Sequence, residues 1–365
     1  MLRVERGACH SIFVYDIAFA IDLNQAERLI RSAIRDSIRH KRRAPQYFEY
    51  TPAPLRITQG VEAVQIGDGF TTDPLVQLVI YDFGAVSVLY RIPFSGDASR
   101  ILSLSESLYE NQALLSDSRR RVESLLMVIQ SAVSKADVSP FVEDYAIFQV
   151  ESFVEPVTIE ELTTRYALEI GRILRAENRD LSSDEVTDAL SHRISFAKDD
   201  IAIIDWNAAL VLDKDAEDTL NVLEFANVEL LETRFLDRRL DDALALAYDR
   251  VAKRSREWFQ FRSHPSDLRD ISQWQVDSAI LFENVNNVLK LLGDQYLARL
   301  YRLAAERFHL PDWDAAILRK LETLERIYQK IADQVVSRRM EVLEWIIILL
   351  FVISIILPFV SHVTH

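Results

Sequence analysis

Leu75-Val-Gln-Leu-Val-Ile-Tyr-Asp-Phe-Gly-Ala-Val-Ser-Val-Leu-Tyr-Arg-Ile-Pro93 is a run of branched and aromatic residues interrupted by one glycine. Leu75–Asp82 and Ala85–Pro93 predict two strands, because such side chains are typical of strands. Phe83-Gly84 between them leaves room only for a tight turn, which predicts a β-hairpin. The N-terminal part of the chain is therefore built around a β-sheet.

Further strands and helices surround this hairpin. The run at 11–21 alternates as a strand does, and Asn24 is expected to cap a helix that continues to about His40. The run at 97–133 predicts one long helix or two, and 201–212 is another apolar run with strand character. Together these elements predict an α+β domain over residues 1–215, with helices on one face of its sheet.

The character of the chain changes after residue 215. Only one of the 8 glycines, Gly293, lies in this part, and Pro265 and Pro311 divide it into three long segments. Proline ends a helix before itself, so we predict helices at about 216–262, 267–308 and 312–360. Helices joined by short breaks predict an antiparallel, coiled-coil-like stalk over residues 216–341.

The last of these helices carries apolar residues at alternating steps of four and three. This heptad spacing predicts a seam on which copies of the chain associate into a homo-oligomer. The seam residues are Ile317, Leu321, Leu324, Tyr328, Ile331 and Val335.

A polar cluster interrupts the first stalk helix. Glu224 and Asn227 share a helix face with Leu231. A buried Asn or Glu on a bundle seam fixes register and partner number, which is the structural interpretation we favour. Asn284, Asn286 and Asn287 on the next helix are candidate hydrogen-bond partners. A ligand or ion site on the same face is the alternative.

A long apolar run ends the chain. Residues 342–363 contain 16 consecutive uncharged residues from Trp345 to Val360, preceded by Arg338 and Arg339. This pattern predicts a transmembrane tail anchor in a lipid bilayer, with the N-terminal bulk in the cytosol. The bacterial inner membrane is favoured because no transit peptide is evident, and the mitochondrial inner membrane is the alternative. The residues predicted to form the anchor include Trp345, Ile346, Ile347, Leu350, Ile355 and Phe359.

Charge restricts the partners. The net charge of −14 argues against a general nucleic-acid binder, which needs a basic surface. One basic stripe stands out on the first helix, at Arg28, Arg31, Arg35 and Arg39. We interpret it as a solvated helix face, and contact with a ribosome, RNA or lipid headgroups is the alternative.

No motif in the sequence points to catalysis. Gly67 and Gly69 lack the further glycine and the helix start of a dinucleotide loop, and the seven histidines do not stand at metal-binding spacing. Cys9 is the only cysteine, so neither an intrachain disulfide nor a cysteine metal cluster can form. We expect no cofactor, no metal and no enzymatic activity.

Two stretches carry a family resemblance: Leu223-Glu-Phe-Ala-Asn-Val-Glu-Leu-Leu-Glu-Thr-Arg-Phe-Leu-Asp237 and Arg338-Arg-Met-Glu-Val-Leu-Glu-Trp-Ile-Ile-Ile-Leu-Leu350. With the β-rich front half, they resemble the required-for-meiotic-nuclear-division family. The resemblance implies a membrane-anchored oligomer without established catalysis, linked in mitochondrial members to organellar translation. The family has no catalytic residues to assign here.

These observations predict an α+β domain, a helical stalk and one transmembrane helix. The expected function is a membrane-anchored, self-associating scaffold or tether. One alternative is a ribosome- or RNA-associated tether that supports translation. Another is a ligand-sensing or enzymatic protein with a site where domain and stalk meet.

Overall fold

A computed structural model describes residues 2–33, 52–67, 69–256 and 295–363. The chain forms two compact units. The first consists of Met1–Phe235 and Leu281–Asp314, and the second of Leu236–Ile280 and Ala315–His365. The first unit therefore includes chain beyond residue 215, in the region that the sequence pattern assigns to a stalk.

The strands and helices have the following bounds. The strands are β1 Arg3–Asp16, β2 Ala18–Ile21, β3 Leu55–Gly60, β4 Gln65–Ile66, β5 Phe70–Thr71, β6 Leu75–Ile80, β7 Ala85–Asp97, β8 Val133–Ala136, β9 Val142–Phe153, β10 Arg193–Ile194, β11 Ile201–Ile204 and β12 Ala208–Leu212. The helices are α1 Leu23–Ala33, α2 Ala98–Leu108, α3 Gln112–Ile129, α4 Ile159–Thr163, α5 Ala167–Arg175, α6 Ser183–Ala189, α7 Glu217–Arg256, α8 Gln295–Arg307 and α9 Leu310–Val363.

A mixed sheet of eight strands organises the first unit. Its order is β10-β11-β12-β9-β1-β7-β6-β3. β1 lies near the middle and pairs antiparallel with both β7 and β9, whereas β12 runs parallel to β9. The sheet thus combines strands from the first hundred residues with strands from beyond residue 140.

The predicted hairpin is present as β6 and β7. Their register pairs Val76 with Tyr90 and Ile80 with Val86. Gly84 in the turn has a φ of +108°, and a Cβ at this position would lie 1.7 Å from the main-chain oxygen of Ala18. Only glycine fits this turn, because both its backbone conformation and the contact exclude a side chain.

One face of the sheet packs against helices that precede residue 216. Phe13 and Tyr90 lie on this face, with their rings in edge contact at 6.0 Å. They belong to one buried cluster with Leu104 of α2 and Leu114 of α3. Alternate strand residues point to this face, as the two-residue period of a strand requires.

The other face of the sheet is also covered. Ile12, Val14 and Ile147 form a second buried cluster with Val222 of α7 and Leu300 of α8. The prediction of helices on one face only is therefore wrong. The part of α7 before residue 236 belongs to the α+β unit, since its apolar residues fill this second core.

Two of the predicted runs each form two elements in the structure, and for 97–133 this is one of the two predicted alternatives. The run at 97–133 forms α2 and α3, because Asn111 starts a new helix by accepting a hydrogen bond from the Leu114 amide at 2.9 Å. The run at 201–212 forms β11 and β12 with a turn between them. Helix α1 is capped by Asp22, not Asn24, and the described part of this helix ends at Ala33.

The second unit contains the later part of α7 and most of α9. Buried residues on α7 follow steps of four and three there, which is the spacing of helices that pack along their length. They are Leu236, Leu240, Ala243 and Ala247. Lys320 of α9 pairs with Asp237 and Asp241 of α7, each at 2.7 Å.

The predicted fold class, with a C-terminal transmembrane helix over 342–363, is contradicted. Within the part of the chain that the structure describes, no helix is long and apolar enough to cross a membrane. The apolar segment is instead the end of the single long helix α9, Leu310–Val363, which carries acidic residues as late as Glu341 and Glu344.

The predictions that depend on this anchor are corrected with it. They are the membrane, transmembrane and tail-anchor assignments and the single-pass location in a bacterial or mitochondrial inner membrane. Trp345, Ile346, Ile347 and Leu350 are between 48% and 71% exposed. The side chains of Ile355 and Phe359 lie outside the described part.

Candidate functional site

The most unusual chemistry lies inside the second core of the first unit. Helix α7 brings acidic and amide side chains into this apolar interior, where polar groups are costly unless they are paired. Glu224 and Asn227, singled out in the sequence, are 0% and 1% exposed. Glu229 and Glu232 are buried beside them.

Glu224 is paired with a basic residue from the edge of the sheet. Nη2 of Arg56, on β3, lies 3.3 Å from Oε2 of Glu224, and both side chains are nearly enclosed. Burial alone would lower the pKa of Arg56, but Glu224 raises it above its usual value. Burial and Glu224 together raise the pKa of the adjacent Tyr81 well above its usual value. The Arg56–Glu224 pair thus lies beside a phenol that holds its proton more tightly than an ordinary tyrosine.

Several buried polar atoms around this pair have no hydrogen-bond partner in the part of the chain that the structure describes. Within the described residues, no hydrogen-bond partner reaches Nε of Arg56, Oε1 of Glu224 or either amide atom of Asn227. A buried polar group without a partner costs about 1–3 kcal/mol. The face of α7 that was predicted to fix register is thus buried in the first unit, but some of its polar atoms lack a hydrogen-bond partner among the described residues.

A second carboxyl contact joins α7 to α8. The hydroxyl of Tyr301 donates to Oε2 of Glu229 in a short hydrogen bond. The pKa of Glu229 is raised to about 8. Burial is the largest cause, the Tyr301 hydrogen bond opposes it, and the charge of Asp314 adds to it. Glu229 is therefore mostly protonated at neutral pH.

Glu232 faces the sheet one turn further along α7. Burial and the nearby Asp16, at the end of β1, raise the pKa of Glu232 well above its usual value. Its Oε1 has no hydrogen-bond partner in the described part of the chain. The pKa values of Glu229 and Glu232 are thus both raised chiefly by burial, and no basic residue of the described part offsets this effect.

A charged network lies at another edge of the first unit. Asp205, in the turn between β11 and β12, is 0% exposed and accepts Nε of Arg175 at 2.9 Å and Nε of Arg307 at 2.8 Å. Asp188, at the end of α6, also contacts both arginines at 2.6 and 2.7 Å. Every arm of this network is paired, so we interpret it as the attachment of α8 to the rest of the unit.

An open groove of about 560 Å³ lies beside the start of α1. Its lining is mainly small or apolar, with Asp22 and Asp82 as its charged members. Asp22 already caps α1 by accepting the Gln25 amide at 3.0 Å. Within the described residues no group of three or more His, Cys, Asp or Glu is arranged to hold a metal ion.

The basic stripe is only partly described. Arg28 and Arg31 are exposed on α1, and Arg31 pairs with Glu27 at 2.7 Å. Arg35 and Arg39 lie outside the described residues. Binding of a ribosome or RNA by this stripe stays a prediction.

The predicted heptad seam is partly enclosed. Ile317 and Leu324 are buried, and Leu321 and Tyr328 are half-buried. The side chains of Ile331 and Val335 lie outside the described part, as do Asn284, Asn286 and Asn287.

Sequence reasoning missed the residues that complete the buried cluster. Arg56 lies 168 positions before Glu224, and Tyr301 lies 72 positions after Glu229. No spacing rule joins such distant positions. The sequence did carry one signal that Glu224 and Asn227 are buried. Residues 222–228 of α7 are apolar on every side of the helix except at these two positions. A helix that is apolar all round is buried on all sides.

Comparison with known proteins identifies a family to which most of the first unit is similar. Uncharacterized protein MJ0711 of Methanocaldococcus jannaschii is 23% identical over 237 residues, which cover 64% of this chain and 71% of that protein. No solved structure matches the chain. Neither finding bears on the resemblance to the meiotic-nuclear-division family, which stays a prediction. A family model described as Uncharacterized protein MJ0711, N-terminal domain, matches residues 6–219, more than half of the chain, from β1 to the first turn of α7. The chain therefore belongs to the MJ0711 N-terminal domain family.

Proposed function

We propose that this protein is a scaffold without catalytic activity that self-associates through the C-terminal part of α9. The observation that carries the proposal is the exposure of this segment. Its large apolar side chains are between 46% and 71% exposed from Leu343 to Ile353. Continuous apolar surface of this extent marks an interaction site on a protein.

A second copy of the chain is the partner that fits this segment. Apolar side chains surround the helix, so its partner must offer a matching long apolar surface. A second α9 provides one by construction, and identical surfaces associate readily in closed, symmetric pairs. The four-three spacing of the heptad seam continues beyond Val335 through Arg338 and Val342 to Trp345. It leads into this segment, which favours helix-to-helix packing.

The proposal assigns no reaction to the buried carboxyls of α7. Glu224, Glu229 and Glu232 are each at most 4% exposed. A catalytic acid or base must come within hydrogen-bond reach of its substrate. Their enclosure therefore supports a structural role for these groups.

Multi-angle light scattering of the purified full chain tests the proposal. We expect a dimer or larger assembly at micromolar concentration, and a monomer for the double variant Leu349→Glu/Phe351→Glu. Leu318→Glu is the matched control, because Leu318 is 49% exposed on α9 but outside the segment. Circular dichroism should show the same helix content in all three proteins.

Three outcomes would overturn self-association through this segment. The first is a monomeric parent protein. The second is an assembly that survives the double substitution. The third is a monomer whose Leu343–Ile353 segment binds detergent micelles or lipid vesicles instead of a second copy.

A second candidate is a ligand sensor, favoured by the unpartnered atoms around Glu224. Glu224 Oε1 and Asn227 Oδ1 would accept hydrogen bonds, and Arg56 Nε and Asn227 Nδ2 would donate them. A small uncharged molecule with an amide or urea group matches this set. Native mass spectrometry of the purified protein should then show a bound small molecule that is lost in Asn227→Leu. An unliganded mass, with Asn227→Leu as stable as the parent, would remove this candidate.

A further inference from the structure

A carboxyl cluster lies where α7, α8 and the start of α9 meet in the first unit, and no basic residue of the described part faces it. Glu229 of α7 and Tyr301 of α8 are joined by a hydrogen bond and are 2% and 7% exposed. Asp314 of α9 is close enough to raise the pKa of both groups, after the larger effect of burial. Tyr301 and Asp314 are the titratable groups of the described residues that face Glu229, and neither is basic.

This arrangement favours a neutral Glu229. An ionised carboxylate in an apolar interior is costly unless a cation or several hydrogen-bond donors compensate it. Here one phenol donates to the carboxyl group, and the other neighbour is an acid. When α8 leaves α7, Glu229 meets water and ionises like an ordinary glutamate.

We propose that the contact between α8 and α7 is a proton-dependent latch, tightened by acid and loosened as Glu229 loses its proton. The inference does not depend on the scaffold function proposed above. It concerns one face of the first unit, and acid should strengthen docking without any change in the sheet.

Proton linkage sets the direction and the pH window. The docked carboxyl has its pKa raised from 4.5 to about 8. Between these two values the docked state holds a proton that the open state has lost, so opening becomes easier as pH rises. Below 4.5 both states are protonated, and above 8 both are ionised, so opening stops changing at each end. We expect the opening constant of α8 to rise roughly tenfold for each pH unit inside the window.

The two neighbours of Glu229 provide substitutions with opposite effects. Asp314→Asn removes a negative charge, which lowers the pKa of docked Glu229 and moves the upper limit of the window down. Tyr301→Phe removes the hydrogen bond that favours the ionised form, which moves the same limit up. Glu229→Gln keeps the size of the side chain but removes the titration.

Amide hydrogen exchange of the full chain tests the latch, with the ¹³C shift of the Glu229 carboxyl as a direct readout. Rates are divided by the intrinsic rate of an unstructured chain at each pH. We expect opening of α8 to increase about 100-fold from pH 5 to pH 7 in the parent protein. Glu229→Gln should be flat over this range, and the exposed control Glu306→Gln should follow the parent.

The inference is overturned if α8 opening changes less than threefold between pH 5 and pH 7. It is equally overturned if Glu229→Gln retains the slope of the parent. A parallel change in β1 amides would mean that the whole unit loses stability, which also contradicts a local latch. If Asp314→Asn and Tyr301→Phe move the ¹³C midpoint of Glu229 in the same direction, the assigned neighbours are wrong.

Discussion

Asp205 is the residue whose loss should destabilise the first unit most clearly. Its carboxylate is completely buried and binds two arginines, each of which is only 10% exposed. It also accepts the Trp206 amide at 2.8 Å. Asp205→Asn keeps the shape of the side chain and removes its charge, so two nearly buried guanidinium groups lose a carboxylate partner.

The expected cost follows from this burial. Breaking a buried ion pair by neutralising one partner costs about 3–5 kcal/mol, because the other charge stays buried. Asp188 still contacts both arginines, so we expect the lower limit, about 3 kcal/mol. Asp188 is 52% exposed, and its own replacement by Asn should cost about 1 kcal/mol or less.

Urea unfolding followed by circular dichroism and tryptophan fluorescence measures the difference. With a denaturant dependence of about 2 kcal/mol per molar urea, Asp205→Asn should lower the midpoint by about 1.5 M. A double-mutant cycle with Arg307→Gln should give a coupling of at least about 1 kcal/mol. If Asp205→Asn were no more harmful than Asp188→Asn, burial would not govern this network and the reasoning would fail.

Three further changes test other features of the first unit. Gly84→Ala should lower the free energy of unfolding by about 2 kcal/mol or more, because the added Cβ would meet the Ala18 oxygen and the φ of this residue is positive. An unchanged melting temperature would contradict this close approach in the turn. Arg56→Met and Glu224→Leu should each lower the free energy of unfolding by about 3 kcal/mol. The double variant should lose less than either single variant, because no unpaired charge stays buried in it. Additive losses would show that the two side chains are not coupled. A chain truncated after residue 219 should aggregate in gel filtration, because α7 and α8 no longer cover the second face of the sheet. A monodisperse 219-residue chain would mean that this face needs no cover.

The sheet was the more predictable part of the fold. Branched residues in β6 and β7 and the turn at Gly84 are local signals, and local signals are what a single sequence carries. The second cover of the sheet was not predictable in this way. Helix α7 is continuous through Phe235 and Leu236, so no turn residue marks the point where one compact unit gives way to the other.

The sequence predicted some residues of the candidate site but not their surroundings. Glu224 and Asn227 stand out because they interrupt an apolar helix, which correctly indicates burial. Their environment depends on β3 and β6, which come from the other end of the unit. The pKa shift of Glu229 likewise arises from enclosure by α8 and α9, and enclosure is a property of the folded chain.

The discontinuity of the first unit has a consequence for its synthesis. The sheet is complete in sequence at Leu212, but its second face needs α8, and Asp314 closes the unit. At about 5–20 residues per second, the ribosome needs roughly 5–20 s to extend the chain from residue 219 to residue 314. During that interval an apolar sheet surface lacks part of its cover and is open to chaperones and to neighbouring nascent chains. The yield of folded protein should therefore depend on how fast the ribosome translates residues 220–314.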